Sequence, residues 1–139
     1  MNAFFRRIGV FFLASVSGLL LGCGEASDNE AMAAAEEPLI VQEISTEEAM
    51  QAWRQKTAVF IDVRTPEEYK AGHVPGSVLI PLAELEQRLP EIPRESLVLL
   101  ICRSGNRSGQ ANLILQQHGY CNTRSVSGGM NAWRGAIET

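Results

Sequence analysis

Cysteine is scarce in this chain. The three residues, Cys23, Cys102 and Cys121, are too few and too scattered for a disulfide framework. No CxxC or Cys/His spacing is present that would hold zinc. An excess of basic charge is also missing. The formal charge is −4, without the electrostatic footprint of a nucleic-acid binder. No apolar run reaches the roughly 20 residues that a bilayer-spanning helix needs. What remains is an ordinary globular composition over 139 residues, enough for one domain with one core.

The N-terminus reads as a separate segment. Arg6 and Arg7 precede an uncharged run of 14 residues, Ile8 to Leu21. A short apolar run behind a positive start is the pattern of a signal peptide, here residues 1–22. A buried helix and an ordinary membrane anchor are the alternatives, and the residues after the arginine pair match twin-arginine export poorly. "LLGC", Leu20 to Cys23, resembles the lipobox of bacterial lipoproteins. That resemblance implies cleavage before Cys23, lipidation of Cys23 and a lipid anchor in a membrane, with the domain in the bacterial cell envelope facing the periplasm. Ordinary cleavage to a soluble periplasmic product is the next reading. Gly24 stands where aspartate would retain some lipoproteins in the inner membrane, which tilts the reading to the outer membrane. Residues 23–38 read as an acidic flexible tether. From 24 to 38 they hold five acids, no base and no periodic apolar face.

Residues 39–139 alternate between strand and helix patterns. "LIVQEI" predicts a strand. Ser45 and Glu48 form a capping-box pattern opening a helix to about Gln55, with Ala49, Met50 and Trp53 on one face. "AVFIDV" predicts a buried strand. "TPEEYKAG" predicts a short helix with Pro66 in its first turn and Gly72 closing it. "SVLI" is a short strand, and "LAELEQRL" a helix stopped by Pro90. "SLVLLI", the most apolar strand, is expected at the centre. A helix follows from about Arg107 to His118, with Ala111, Ile114, Leu115 and His118 on one face and Gly119 closing it. "TRSVS" is a last strand and "GMNAWRGA" a last helix. The alternation predicts an α/β fold: a mainly parallel sheet of about five strands with helices on both faces.

"CRSGNRS", Cys102 to Ser108, then falls at the carboxyl end of the central strand and runs into a helix N-terminus. Ligands bind in such places in open α/β sheets. Consecutive loop N–H groups make an anion-binding nest there and favour a thiolate. Gly105 lets the loop turn inward. Ser104, Gly105, Asn106 and Ser108 are candidate substrate-binding residues, the two serines as further hydrogen-bond donors. Arg103 and Arg107 would attract an anionic substrate. A buried structural cysteine followed by a surface loop is the bland alternative.

About 100 residues resemble the rhodanese (sulfurtransferase) family through "IDVRTPEEYKAGHVPGSVLIP", "LLICRSGNRS" and "SVSGGMNAW". The resemblance implies a single rhodanese-like domain over 39–139. It implies that Cys102 is the nucleophile, taking sulfane sulfur from a small anionic donor such as thiosulfate and passing it from a persulfide to cyanide or a thiol acceptor. Residues 103 to 107 would hold the persulfide by their N–H groups, with neither metal nor organic cofactor. The companion residues are read as structural support. Asp62 bonds neighbouring loops, Arg64 and Glu68 pair across the turn, His73 is hydrogen-bonded in place, and Gly128 and Gly129 let the last helix approach the loop. Trp133 is read as core, His118 as a helix end and Cys121 as a loop residue, or alternatively a resolving thiol.

Two other readings belong to the same resemblance. Rhodanese-like domains also serve as non-catalytic binding or persulfide-relay modules. Cysteine phosphatases and some arsenate reductases use a related loop with five residues between cysteine and arginine. Only four, "RSGN", separate Cys102 from Arg107, which implies a pocket fitted to sulfur rather than to tetrahedral phosphate.

Overall fold

A computed structural model describes residues 38–139. The readings of the leader, of Cys23 and of the tether up to residue 37 lie outside the described residues. Five strands form one all-parallel sheet in the order β1-β5-β4-β2-β3, with β1 at Glu43–Ile44, β2 at Ala58–Asp62, β3 at Val78–Leu79, β4 at Leu97–Ile101 and β5 at Thr123–Val126. The most apolar strand, β4, is central as expected. It pairs along its whole length with β2, Ala58 opposite Leu97 and Asp62 opposite Ile101.

The period of two along β4 divides the core. Val98 and Leu100 point to the face covered by α3 (Asn106–Gln117) and a 3-10 segment (Leu82–Glu91). Leu99 and Ile101 point to the face covered by α1 (Thr46–Gln55) and α4 (Gly129–Ala132). A strand buried on both faces reads as an unbroken apolar run for this reason. Cys102 continues the alternation and lies on the Val98–Leu100 face. On the opposite face Trp133 is buried, its ring edge-on to Phe60 at 5.7 Å and to Trp53 at 6.2 Å.

Local signals set the helix starts. Ser45 Oγ accepts from Glu48 N–H (3.2 Å), and Glu48 accepts in return from Ser45 N–H (3.1 Å), closing the capping box of α1. The short helix α2 (Pro66–Ala71) has a second such box, Thr65 with Glu68, ahead of Pro66. Gly72 follows it.

Two expectations are corrected. "LAELEQRL" is not an α-helix ended at Pro90. It winds as 3-10 turns, breaks helical geometry at Arg88 and carries Pro90 inside. Proline removes a donor and disfavours the α region for the residue before it. "LIVQEI" pairs only at Glu43 and Ile44. Before that, side chains of α3 take its backbone groups: Gln42 N–H donates to Asn112 Oδ1 (2.7 Å), and Gln116 Nε2 donates to Ile40 O (2.9 Å). His118 ends α3 as expected, exposed at its C-cap, while the buried residues of that helix are Ser108, Gly109, Ala111, Asn112 and Leu115.

Candidate active site

The chain crosses over between β2 and β4. From β2 it proceeds outward to β3, then returns to β4 and continues outward to β5 on the other side. Loops at the carboxyl ends of these two strands therefore part and leave a crevice. Cys102 leaves β4 into that crevice, and Asp62 ends β2 beside it.

The Cys102 side chain lies at the floor of the loop, 1% exposed. Gly105 N–H donates to its sulfur at 3.1 Å, and Ser108 Oγ lies 3.4 Å away. Gly105 has φ 106° and caps α3, the left-handed turn that brings its N–H back over the sulfur. Burial is the largest single influence on the thiol and pushes its pKa up. The Ser108 hydroxyl and the backbone N–H groups of Ser108, Gly105 and Ser104 together outweigh it and bring the thiol below its ordinary value. The balance is decided by donors aimed at the sulfur.

Of the other loop residues, Arg103, Ser104 and Asn106 stand exposed at the rim. Arg107 is held elsewhere. Its NH1 and NH2 donate to Glu68 Oε2 (2.6 Å) and Oε1 (2.8 Å), a two-pronged pair linking α3 to α2. This overturns the expected Arg64–Glu68 pair. Arg64 instead forks back onto Asp62, Nε to Oδ1 at 2.9 Å and NH2 to Oδ2 at 2.6 Å, and NH2 also reaches Gly72 O (2.8 Å). Asp62 also accepts from Arg64 N–H. Both its charge and that of Arg64 are buried and matched. Arg64 and Arg107 also line an open cavity of about 330 Å³ walled by Val63, Pro81, Leu82 and Ala83.

The Glu68–Arg107 pair has a measurable consequence. The Arg107 guanidinium holds Glu68 down at about 2, against an ordinary 4.5. A depressed carboxylate stabilises the fold above its unfolded value, and that contribution is lost as pH falls from about 4.5 toward 2. Glu68→Gln is expected to lower stability by about 1 kcal/mol at neutral pH, modest because both side chains are partly solvated. It should also flatten the decline of stability across that acid range. Urea denaturation at stepped pH reads both effects; an unchanged acid slope in the variant would refute the assignment.

His73 is bonded to α2 and to the C-terminal segment. Its Nδ1–H donates to Tyr69 O (2.9 Å), its ring stacks on Tyr69 at 3.7 Å, and its backbone bridges to Glu138. Gly128 and Gly129 bring α4 against the loop. Met130 N–H donates to Cys102 O (2.8 Å) and Asn131 N–H to Arg103 O (2.9 Å). Cys121 sits exposed in the connection between α3 and β5. Among the described residues, no group of three or more His, Cys, Asp or Glu is placed to hold a metal ion.

One residue at the site escaped the sequence reading. Ser125, in β5, is fully buried, and its Oγ lies 2.8 Å from Ser108 Oγ. A serine in a strand carries no local signal; the only hint is a polar residue where a parallel sheet is covered on both faces.

A family model described as a rhodanese-like domain matches residues 45–136. The chain is 40% identical over 93 residues to the uncharacterized protein YqhL of Bacillus subtilis, covering 67% of this chain and 73% of that one. It is 36% identical over 95 residues to a sulfurtransferase of Allochromatium vinosum, covering 68% and 89%. The fold is similar to that of the human single-domain sulfurtransferase TSTD1, with 27% identity and a TM-score of 0.59 over 69% of this chain and 99% of that one.

Proposed function

The chain belongs to the rhodanese-like domain family, and from that premise we propose that it transfers sulfane sulfur from a small anionic donor of the thiosulfate type to a nucleophilic acceptor, through a persulfide on Cys102. The observation carrying this reading is the sulfur of Cys102, buried at the floor of a loop whose N–H groups and Ser108 hydroxyl are directed at it.

The chemistry is a double displacement. The Cys102 thiolate attacks the outer sulfur of thiosulfate. A new S–S bond forms, the S–S bond of the donor breaks, and sulfite leaves with the electron pair. The terminal persulfide sulfur now carries the negative charge, and the loop N–H groups hold it there. Cyanide or a thiolate then attacks that outer sulfur, leaving as thiocyanate or a new persulfide and returning the Cys102 thiolate. Charge balances in each half, and neither step requires a proton from a general acid. This is consistent with His73 being engaged with Tyr69. With Arg107 committed to Glu68, the exposed Arg103 is the loop cation positioned to draw in the donor.

Incubating the protein with thiosulfate should add the mass of one sulfur atom, and cyanide should then remove it with release of thiocyanate. A protein that gains no mass and makes no thiocyanate refutes the reading.

A further inference from the structure

Ser125 lies on β5 opposite Leu100 of β4. It therefore lines up beside the face that Leu100 and Cys102 share. A parallel sheet covered on both sides normally fills such a position with an apolar side chain. Here it holds a hydroxyl with no access to water, since Ser125 and Ser108 are both 0% exposed. Such a group must find its partner inside the protein. Among the described residues, Ser125 Oγ has one hydrogen-bond partner, Ser108 Oγ at 2.8 Å.

The directions of these bonds follow from counting hydrogens. Ser108 Oγ has three neighbours: Cys102 Sγ at 3.4 Å, Gly105 O at 3.1 Å and Ser125 Oγ at 2.8 Å. It owns one hydrogen. The carbonyl of Gly105 can only accept, and so can a thiolate. Ser125 is the neighbour that can donate into Ser108. If Ser108 donated to Ser125 instead, the Ser125 hydrogen would be buried without an acceptor and the sulfur would lose its hydroxyl donor.

We propose that Ser125 is a positioning residue for the nucleophile: its hydroxyl donates to Ser108 Oγ and so leaves the single Ser108 hydrogen available to the Cys102 sulfur. When the sulfur carries a proton, Ser108 turns its hydrogen to Gly105 O and accepts from the thiol. When the sulfur is ionised, the hydrogen swings onto it, and the Ser125 bond polarises the donor. No atom changes owner within the relay; the thiol proton leaves to solvent. The inference rests on Cys102 acting as a thiolate nucleophile, and it names the residue that holds this state from the strand behind the loop.

The charged groups around the sulfur are the same with and without the Ser125 hydroxyl. Arg103 and Arg107 stand on the loop. Glu68 from α2 is bonded to Arg107, and Asp62 with Arg64 lie at the end of β2. The parts of α4 and β5 that meet the loop, Met130, Asn131 and Ser125, bring no charge.

The test is the rate of Cys102 alkylation by iodoacetamide against pH, which reads the thiolate without any sulfur substrate. Its outcome is therefore separate from the success or failure of the sulfur-transfer assay. Ser125→Ala is expected to move the midpoint upward, so that alkylation below it slows by about 3- to 10-fold while the rates converge at high pH. Ser125→Thr keeps the hydroxyl and should keep the wild-type midpoint despite its extra methyl. Coincident profiles for wild type and Ser125→Ala overturn the proposal. So do equal displacements in both variants, which would mark a packing effect alone. A measurement on the wild-type protein decides the matter even if neither variant folds. The Cβ resonance of Ser125 should titrate with the alkylation midpoint; a resonance insensitive to that ionisation overturns the proposal.

Discussion

Cys102→Ser is expected to lose sulfur transfer by at least about 10³-fold, down to the background of the reagents, and to gain no sulfur mass from thiosulfate. The loop donors lower the Cys102 thiol and favour its thiolate, and an ordinary thiol already lies far closer to neutrality than an alcohol does. An alcohol starts far higher, and the same four donors, the Ser108 hydroxyl and the N–H groups of Ser108, Gly105 and Ser104, cannot bridge that gap. The serine hydroxyl can still accept from Gly105 N–H, so the fold should persist, with a thermal midpoint close to that of wild type. Thiocyanate release and intact-protein mass read the loss; circular dichroism reads the fold. A folded Cys102→Ser protein that still turns over would remove Cys102 from the mechanism.

Gly129→Ala is expected to be the most damaging single methyl near the site. Gly129 has φ +54°, and a Cβ there would lie 2.3 Å from Cys102 O, 2.8 Å from Arg103 C and 2.9 Å from Arg103 O. These are backbone atoms that cannot swing aside. The left-handed conformation costs a non-glycine residue about 1–2 kcal/mol. Forcing apart a close-packed contact adds about 1–3 kcal/mol. The movement would also stretch the bonds from Met130 N–H and Asn131 N–H onto the first two loop carbonyls. A total loss of about 2–5 kcal/mol follows, together with slower Cys102 alkylation. Gly76→Ala is the control. It too has a positive φ, +79°, but nothing lies within 4 Å of its Cβ, so only the conformational cost applies. Urea denaturation of both variants separates the two effects. Equal losses would mean that the approach of α4 to the loop contributes nothing.

Much of this architecture is legible in short stretches of sequence, and the reason differs by element. α1 is legible because its cap is a bond between residues three apart, Ser45 and Glu48. The start of α2 is legible through Pro66, whose fixed φ suits a first turn. β4 is legible as central because both its faces are covered, which demands an unbroken apolar run. The 3-10 segment is not legible because Leu82, Leu85 and Leu89 fit a helical period, and that period reports neither the tighter winding nor the break at Arg88.

At the site the division is sharper. The thiol, the glycine turn after it and its place between an apolar strand and a helix are all legible locally, because these are neighbours along the chain. Their chemistry follows from local backbone geometry. What holds that loop in place comes from distant parts of the chain. Arg107 meets Glu68 across 39 residues, Ser108 meets Ser125 across 17, and Gly129 meets the carbonyl of Cys102. Each of these contacts exists because the order β5-β4-β2 brings distant strand ends side by side. Arg64 and Glu68, four apart and oppositely charged, looked like partners on local spacing. Asp62 lies two residues away and buried, with no access to water, so it claims Arg64 first. An unpaired buried carboxylate costs far more than an unpaired exposed one.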